Sequence, residues 1–153
     1  MLLLLTLAVL GSPVCWAQQM YGIGGGTYFS TSEDNQNNVT GIRVCTGLGL
    51  IKSVQLRFGS SWTDKYGVPC KRSQEFLLRQ DEHFVAAYGA YGLFLRYLEL
   101  HTDFGRTAMF GTAIGQTFSA SPSQEGQVLT GLFGQYKLLG ISGLGFRWQY
   151  PLE

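Results

Sequence analysis

Histidine occurs only twice in this 153-residue chain, at His83 and His101, in separate segments with no ligand motif around either. A metal centre, which needs several His, Cys or carboxylate ligands at workable spacing, is therefore not expected. An excess of one charge is missing too: eleven Lys and Arg against ten Asp and Glu leave a net +1, and the basic residues are scattered. That removes the basic patch or stripe expected of a nucleic-acid-binding protein, so no nucleic-acid partner is expected. Catalytic signatures are equally thin. There is no G-x-S-x-G elbow, and the paired carboxylates Glu33-Asp34 and Asp81-Glu82 are neighbours in polar loops, with nothing to set them across a cleft. The residues point to a binding protein that is not an enzyme and takes no cofactor.

Long apolar runs are also scarce, and the one that exists opens the chain. Met1 to Leu10 is almost wholly apolar and is broken by Gly11, Ser12 and Pro13. Its length suits the ~7–15 residues of a signal-peptide core and falls short of the ~20 that span a bilayer. Cys15 and Ala17 supply small side chains at the −3 and −1 positions, so residues 1–17 are expected to be a signal peptide, although no Lys or Arg precedes the apolar run. Residues 18–153 then form one secreted, extracellular domain with no stable membrane insertion, and a homo-oligomer stays open. Once Cys15 has left with the leader, Cys45 and Cys70 remain in an oxidising compartment and are expected to pair. A disulfide closing a loop of that length is worth about 3 kcal/mol; two free thiols are the alternative, since spacing does not reveal geometry. Asn38-Val39-Thr40 is a glycosylation sequon within a polar stretch, SEDNQNN, that reads as an exposed loop.

Helical periodicity is hard to find after residue 20, whereas period-two alternation and spaced glycines recur to the end. Phe146-Arg147-Trp148-Gln149-Tyr150 and Val54-Gln55-Leu56-Arg57-Phe58 read as half-buried strands. Further strands are expected at 27–30, 41–46, 75–79, 84–88, 93–102, 107–110, 116–120 and 127–133, giving an all-β sandwich, barrel or prism. Three stretches also superpose as a repeat: LIKSVQLRFG from Leu50, FLRYLELHTD from Phe94 and GISGLGFRWQ from Gly140. Val54, Leu98 and Leu144 fall at one place in it, 44 and 46 residues apart. One sheet per repeat, with approximate three-fold symmetry, follows.

Glycine, by contrast, is plentiful. Tyr21 to Ser30 reads YGIGGGTYFS, with four glycines in five residues. Thr27 stands at the third glycine of a dinucleotide fingerprint, no βαβ pattern follows, and the Gly-Lys-Ser/Thr ending of a P-loop is absent, so a phosphate role is excluded. The flanking aromatics suit a segment that packs, and bare backbone N–H groups can then approach a ligand.

The block Leu98-Glu99-Leu100-His101-Thr102-Asp103-Phe104-Gly105-Arg106, followed by Phe110-Gly111, resembles one found in the jacalin-related lectins. YGIGGGTYFS, Gly41-Ile42-Arg43-Val44 and Ser53–Trp62 fall where that family keeps its glycine loop and two core strands. Ser119 to Ile141, SASPSQEGQVLTGLFGQYKLLGI, is similar to the salivary branch of the mammalian zymogen granule secretory lectins. The resemblance implies a β-prism of three four-stranded Greek-key sheets with pseudo-three-fold symmetry, and secretion through granules in salivary-type exocrine fluid. Glycans or glycoproteins of mucins, microbes or cell surfaces are the implied partners. It also implies one shallow sugar site between Gly24, Gly25 and Gly26 and a second loop formed by Lys137, Leu138, Leu139, Gly140, Ile141 and Ser142. That second loop departs from the family: Ser142 stands where a sugar-accepting aspartate is usual, which forfeits a hydrogen bond worth about 1.5–3 kcal/mol. Mannose-type binding is disfavoured accordingly. Lys137 is able to attract an acidic sugar and Tyr136 to stack on a pyranose, or the two are simply an exposed lysine and a packing tyrosine.

Overall fold

The computed structural model describes residues 19–153, so the leader and its expected cleavage after Ala17 lie outside the described residues. Thirteen strands follow in order: β1 Met20–Tyr21, β2 Thr27–Ser30, β3 Val39–Gly47, β4 Leu50–Phe58, β5 Ser61–Trp62, β6 Tyr66–Gly67 and β7 Arg72–Leu77, then β8 Phe84–Tyr91, β9 Leu95–Thr102, β10 Thr107–Gly111, β11 Gln116–Ala120, β12 Val128–Lys137 and β13 Gly140–Gln149. They form three antiparallel sheets, ordered β1-β13-β12-β2, β10-β9-β8-β11 and β5-β4-β3-β7, which together make a β-prism. One sheet departs from the expected four strands, because β6 adds to β4 as a fifth.

Each sheet is organised around one long hairpin, β3–β4, β8–β9 or β12–β13, and the three expected repeats are the second strands of these hairpins. Val54, Leu98 and Leu144 are fully buried on the prism axis, as are Leu56 and Leu100. Each such side chain contributes about 1.5–3 kcal/mol by leaving water. Every hairpin also carries two register shifts, one towards its turn (Cys45/Thr46, Ala90/Tyr91, Gln135/Tyr136) and one towards its open end (Val39/Gly41, Phe84/Ala86, Leu129/Gly131). A bulge bends and twists the strand, and it moves the inward side chain by one place. Burial therefore follows Ile51, Val54, Leu56 and Leu95, Leu98, Leu100 in place of strict alternation. Two strand limits differ from expectation: the strand expected at 75–79 runs over Arg72–Leu77, in continuous register with β3, and that expected from Leu93 begins at Leu95, because the Gly92 N–H bonds the Phe94 carbonyl to close a turn.

The chain directions fix two ends. At the hairpin end the three turns converge: the Gly140 backbone packs on the Ile51 carbonyl, and Gly111 packs on Ile51 Cδ1 and the backbone of Arg96. At the open end, Glu82 is 2% exposed and accepts from Arg106 Nε at 2.9 Å and Nη2 at 2.6 Å, from Thr102 Oγ1 at 2.6 Å and from the Arg79 N–H at 2.8 Å. These hydrogen bonds hold its carboxyl down to about 2 despite burial. The Thr102-Asp103-Phe104-Gly105-Arg106 block is thus a structural clasp, with Gly105 at φ 77° to make the turn.

Cys45 and Cys70 are joined as a disulfide, with Cα atoms 6.2 Å apart. Asn38 is half-buried, and its side-chain amide both donates to the Leu152 carbonyl at 3.0 Å and accepts from the Leu152 N–H at 2.8 Å. An N-glycan there would have to loosen this C-terminal clip.

Candidate functional site

The glycine loop lies at the hairpin end, between β1 and β2, folded over the start of β13 and the last turn of β12. Gly22, Gly24, Gly25 and Gly26 all have positive φ, from 78° to 113°, a run that only glycine adopts without strain. At Gly26 a Cβ would also strike the Tyr136 backbone and Lys137 Cγ, so the chain reaches this close to β12 because it has no side chain there.

Three hydrogen bonds fasten the loop. The Gly24 N–H donates to the Ser142 carbonyl at 2.9 Å, the Gly25 N–H donates to Gln135 Oε1 at 2.7 Å, and Ser142 Oγ donates to the Gly25 carbonyl at 2.6 Å. Gln135 escaped the sequence reading. Its signal is period two: it stands two residues before Lys137 on the same side of β12, so both side chains rise against the glycine loop, Gln135 at Gly24 and Gly25 and Lys137 at Gly25 and Gly26.

The second loop is brought to the same place but divides by exposure. Leu138 is 92% exposed and Leu139 51% exposed at the tip, with Lys137 exposed beside them. Gly140, Ile141 and Ser142 are buried. Ser142 is only 1% exposed, so its hydroxyl locks the loop and does not reach solvent. Tyr136 is half-buried, packed against the core with its ring 6.3 Å from that of Phe29. Gly24 is buried and Gly25 and Gly26 are exposed, but Gly25 spends its N–H on Gln135 and its carbonyl on Ser142, so the charged group that faces solvent here is the Lys137 ammonium, with no carboxylate beside it among the described residues.

A family model described as the jacalin-like lectin domain matches residues 18–147. The chain belongs to the jacalin-like lectin family. This lectin domain is 39% identical over 152 residues to the prostatic spermine-binding protein of Rattus norvegicus, covering 97% of this chain and 54% of the rat protein, so it spans about half of that relative's length. It is 33% identical over 133 residues to zymogen granule membrane protein 16 of Homo sapiens, covering 86% and 79%. Among solved structures it is similar to a prostate-specific WGA16 glycoprotein lectin, with TM-score 0.82 and 49% identity over 88% of this chain and 99% of that one. Malaysian banana lectin shares the fold at TM-score 0.71 and 18% identity, covering 88% and 96%. The coarse class follows from the family: a jacalin-like lectin domain.

Proposed function

We propose that the protein is a secreted lectin of exocrine, salivary-type fluid that contacts glycans on mucins, microbes or epithelial cells through Gly24–Gly26 and residues 137–142. The observation that carries this reading is the positive-φ glycine loop, packed on Lys137 and fastened to Gln135 and Ser142 by hydrogen bonds that a sugar hydroxyl is able to exchange. A sugar is a dense set of hydroxyls that both donate and accept, and here it meets mainly donors. For a sugar oxygen to accept from the Gly25 N–H it must displace Gln135, which makes that side chain a gate. The Lys137 ammonium favours a sugar that carries its own carboxylate or sulfate over a neutral one, since a charge-assisted hydrogen bond is roughly twice as strong. The site thus supplies the cation and the ligand the anion, the reverse of a loop built on aspartate.

The test is a glycan array probed with the purified wild-type protein, Gln135→Ala and Ser142→Asp. Binding by the wild type, biased to acidic termini and strengthened about tenfold in Gln135→Ala, supports the reading. No wild-type signal at high protein concentration, with Ser142→Asp gaining one, refutes native sugar binding. A second reading is favoured by the closure itself: with Gln135 on Gly25 and Ser142 buried, the domain is a degenerate lectin acting by protein contact, as a secreted signal or granule-packing factor. Capture from enzymatically deglycosylated cell surfaces separates the two, because only the protein-contact reading retains the partner there.

A further inference from the structure

All six exposed aliphatic side chains that stand in turns of the hairpin end, Ile23, Leu48, Leu93, Ile114, Leu138 and Leu139, are between 51% and 92% exposed. Three of them, Leu48, Leu93 and Leu138, occupy the symmetry-related tips of β3–β4, β8–β9 and β12–β13. Leu48 is the most informative. It has φ 55° and precedes Gly49 at φ 72°, a tight hairpin turn in which Asn, Asp or Gly is the usual first residue. A leucine in that conformation is strained, and at 87% exposure it gains no packing in return. Strain without local compensation is what a contact surface leaves behind.

The charges at this end point to one partner. A cation folds over each tip: Lys52 Cε lies over Gly47, the Arg96 guanidinium over Gly92, and Lys137 over Gly25. Lys71 and the exposed Arg72 add to them beside the Cys45–Cys70 bond, where Arg72 pairs with Thr46. Arg96 Nε is buried without a partner among the described residues. No carboxylate stands here among the described residues. Glu75 and Glu99 sit midway along their strands, opposite Arg43 and Tyr88, and Asp64 follows Thr63, which bonds the middle of β4. The remaining acidic residues gather at the open end, Glu82 and Asp103 around the Arg106 clasp and Glu33 and Asp34 near Phe58 and Gln149. The carboxylates are thus withheld from the hairpin end, whereas basic residues stand at both ends, those of the open end including Arg79 and Arg106 beside Glu82.

We propose that the hairpin end docks on an anionic lipid bilayer, the leucine tips entering the boundary between headgroups and acyl chains while the surrounding cations meet the lipid anions. Separate aliphatic prongs set in a cationic rim suit a fluid surface that closes around each prong. A hydrated polyanion offers leucine nothing, and two copies meeting tip to tip would oppose like charges. The inference goes beyond sugar recognition and shares with it only Lys137, Leu138 and Leu139, so the variants that test it avoid those residues.

Co-sedimentation of the purified protein with vesicles of phosphatidylcholine alone, or of phosphatidylcholine mixed with phosphatidylserine, provides the test. Binding is expected on the phosphatidylserine vesicles and is expected to fall as salt rises. Leu48→Asn should weaken it about tenfold and the Leu48→Asn/Leu93→Asn pair about a hundredfold, with the glycan-array profile unchanged. Lys52→Gln should weaken it about fivefold. Leu48→Asn places a favoured residue in its turn and should melt no lower than wild type, which excludes misfolding as the cause. The proposal is overturned if the protein ignores phosphatidylserine vesicles at low salt. It is equally overturned if the leucine pair binds them like wild type while soluble heparin strips both off, which marks a polyanion site. Concentration-dependent self-association in sedimentation velocity that Leu48→Asn abolishes would assign the face to a second copy of the chain.

Discussion

At the open end of the prism, Glu82 is buried and its carboxylate oxygens are shared among Arg106, Thr102 and the Arg79 N–H, while Arg106 also stacks 4.5 Å above the Phe76 ring and donates to the Leu77 carbonyl at 2.9 Å. At the hairpin end, Leu48 and Leu138 stand in water, and among the described residues Arg96 Nε has no partner and the cations have no carboxylate beside them. One end satisfies its polar groups internally and is built for stability. The other leaves apolar and cationic groups unsatisfied, and its few internal bonds, Gln135 to Gly25 and Ser142 to Gly25, are the kind a ligand is able to exchange.

The largest effect should come from breaking the clasp. Glu82→Gln leaves the partly exposed Arg106 without its anion; a fully buried pair broken this way costs about 3–5 kcal/mol, and the solvent open to Arg106 puts the expected loss at the low end of that range, read as a fall in urea midpoint. Its pH signature has a definite sign. The Glu82 carboxyl is held at about 2, below its ordinary 4.5, so the stability it contributes is fully present above that ordinary value and is lost as pH falls from there towards 2. Glu82→Gln should flatten that part of the stability profile. At the hairpin end the comparable restraint is covalent: Cys45→Ser with Cys70→Ser should cost about 3 kcal/mol in thermal or chemical melts. Next comes Gly26→Ala, where positive φ and contact with the Tyr136 backbone make any Cβ strained. A loss of about 1–3 kcal/mol is expected, together with a fall in glycan-array signal. Smallest, and opposite in sign, is Leu48→Asn, which should raise stability by up to about 1 kcal/mol by relieving the turn. A hairpin-end substitution that stabilises while an open-end one destabilises would sharpen the contrast; clear destabilisation by Leu48→Asn would break it.

Much of the fold was legible because burial imposes period two. The positions of Val54, Leu98 and Leu144 exposed the three-fold repeat, and Cys45 with Cys70 left a single pairing once the leader was set aside. The strand limits near Arg72 and Leu95 were not legible: β7 is an exposed strand with almost no inward face to read, and the start of β9 is set by the turn that Gly92 and Phe94 close. Residues 24–26 and 137–142 do come together, but the way they close was hidden. Gln135 looks like any polar strand residue until β2 is laid beside β12, and Ser142 turns inward to bond Gly25, so a place expected to face a sugar is buried. The Glu82–Arg106 clasp spans the whole of β8 and β9, and the withdrawal of carboxylates from the hairpin end appears only when the three hairpins are set side by side.

The most direct measurement of the central claim is an amide-resolved NMR titration of the isotope-labelled protein with N-acetylneuraminic acid. The site described here should show saturable shifts at Gly25, Gly26, Leu138 and Leu139, larger in Gln135→Ala, with the amides around Glu82 and Asp103 unmoved. Shifts centred on the open end, or none at any residue up to saturating sugar, would contradict the account.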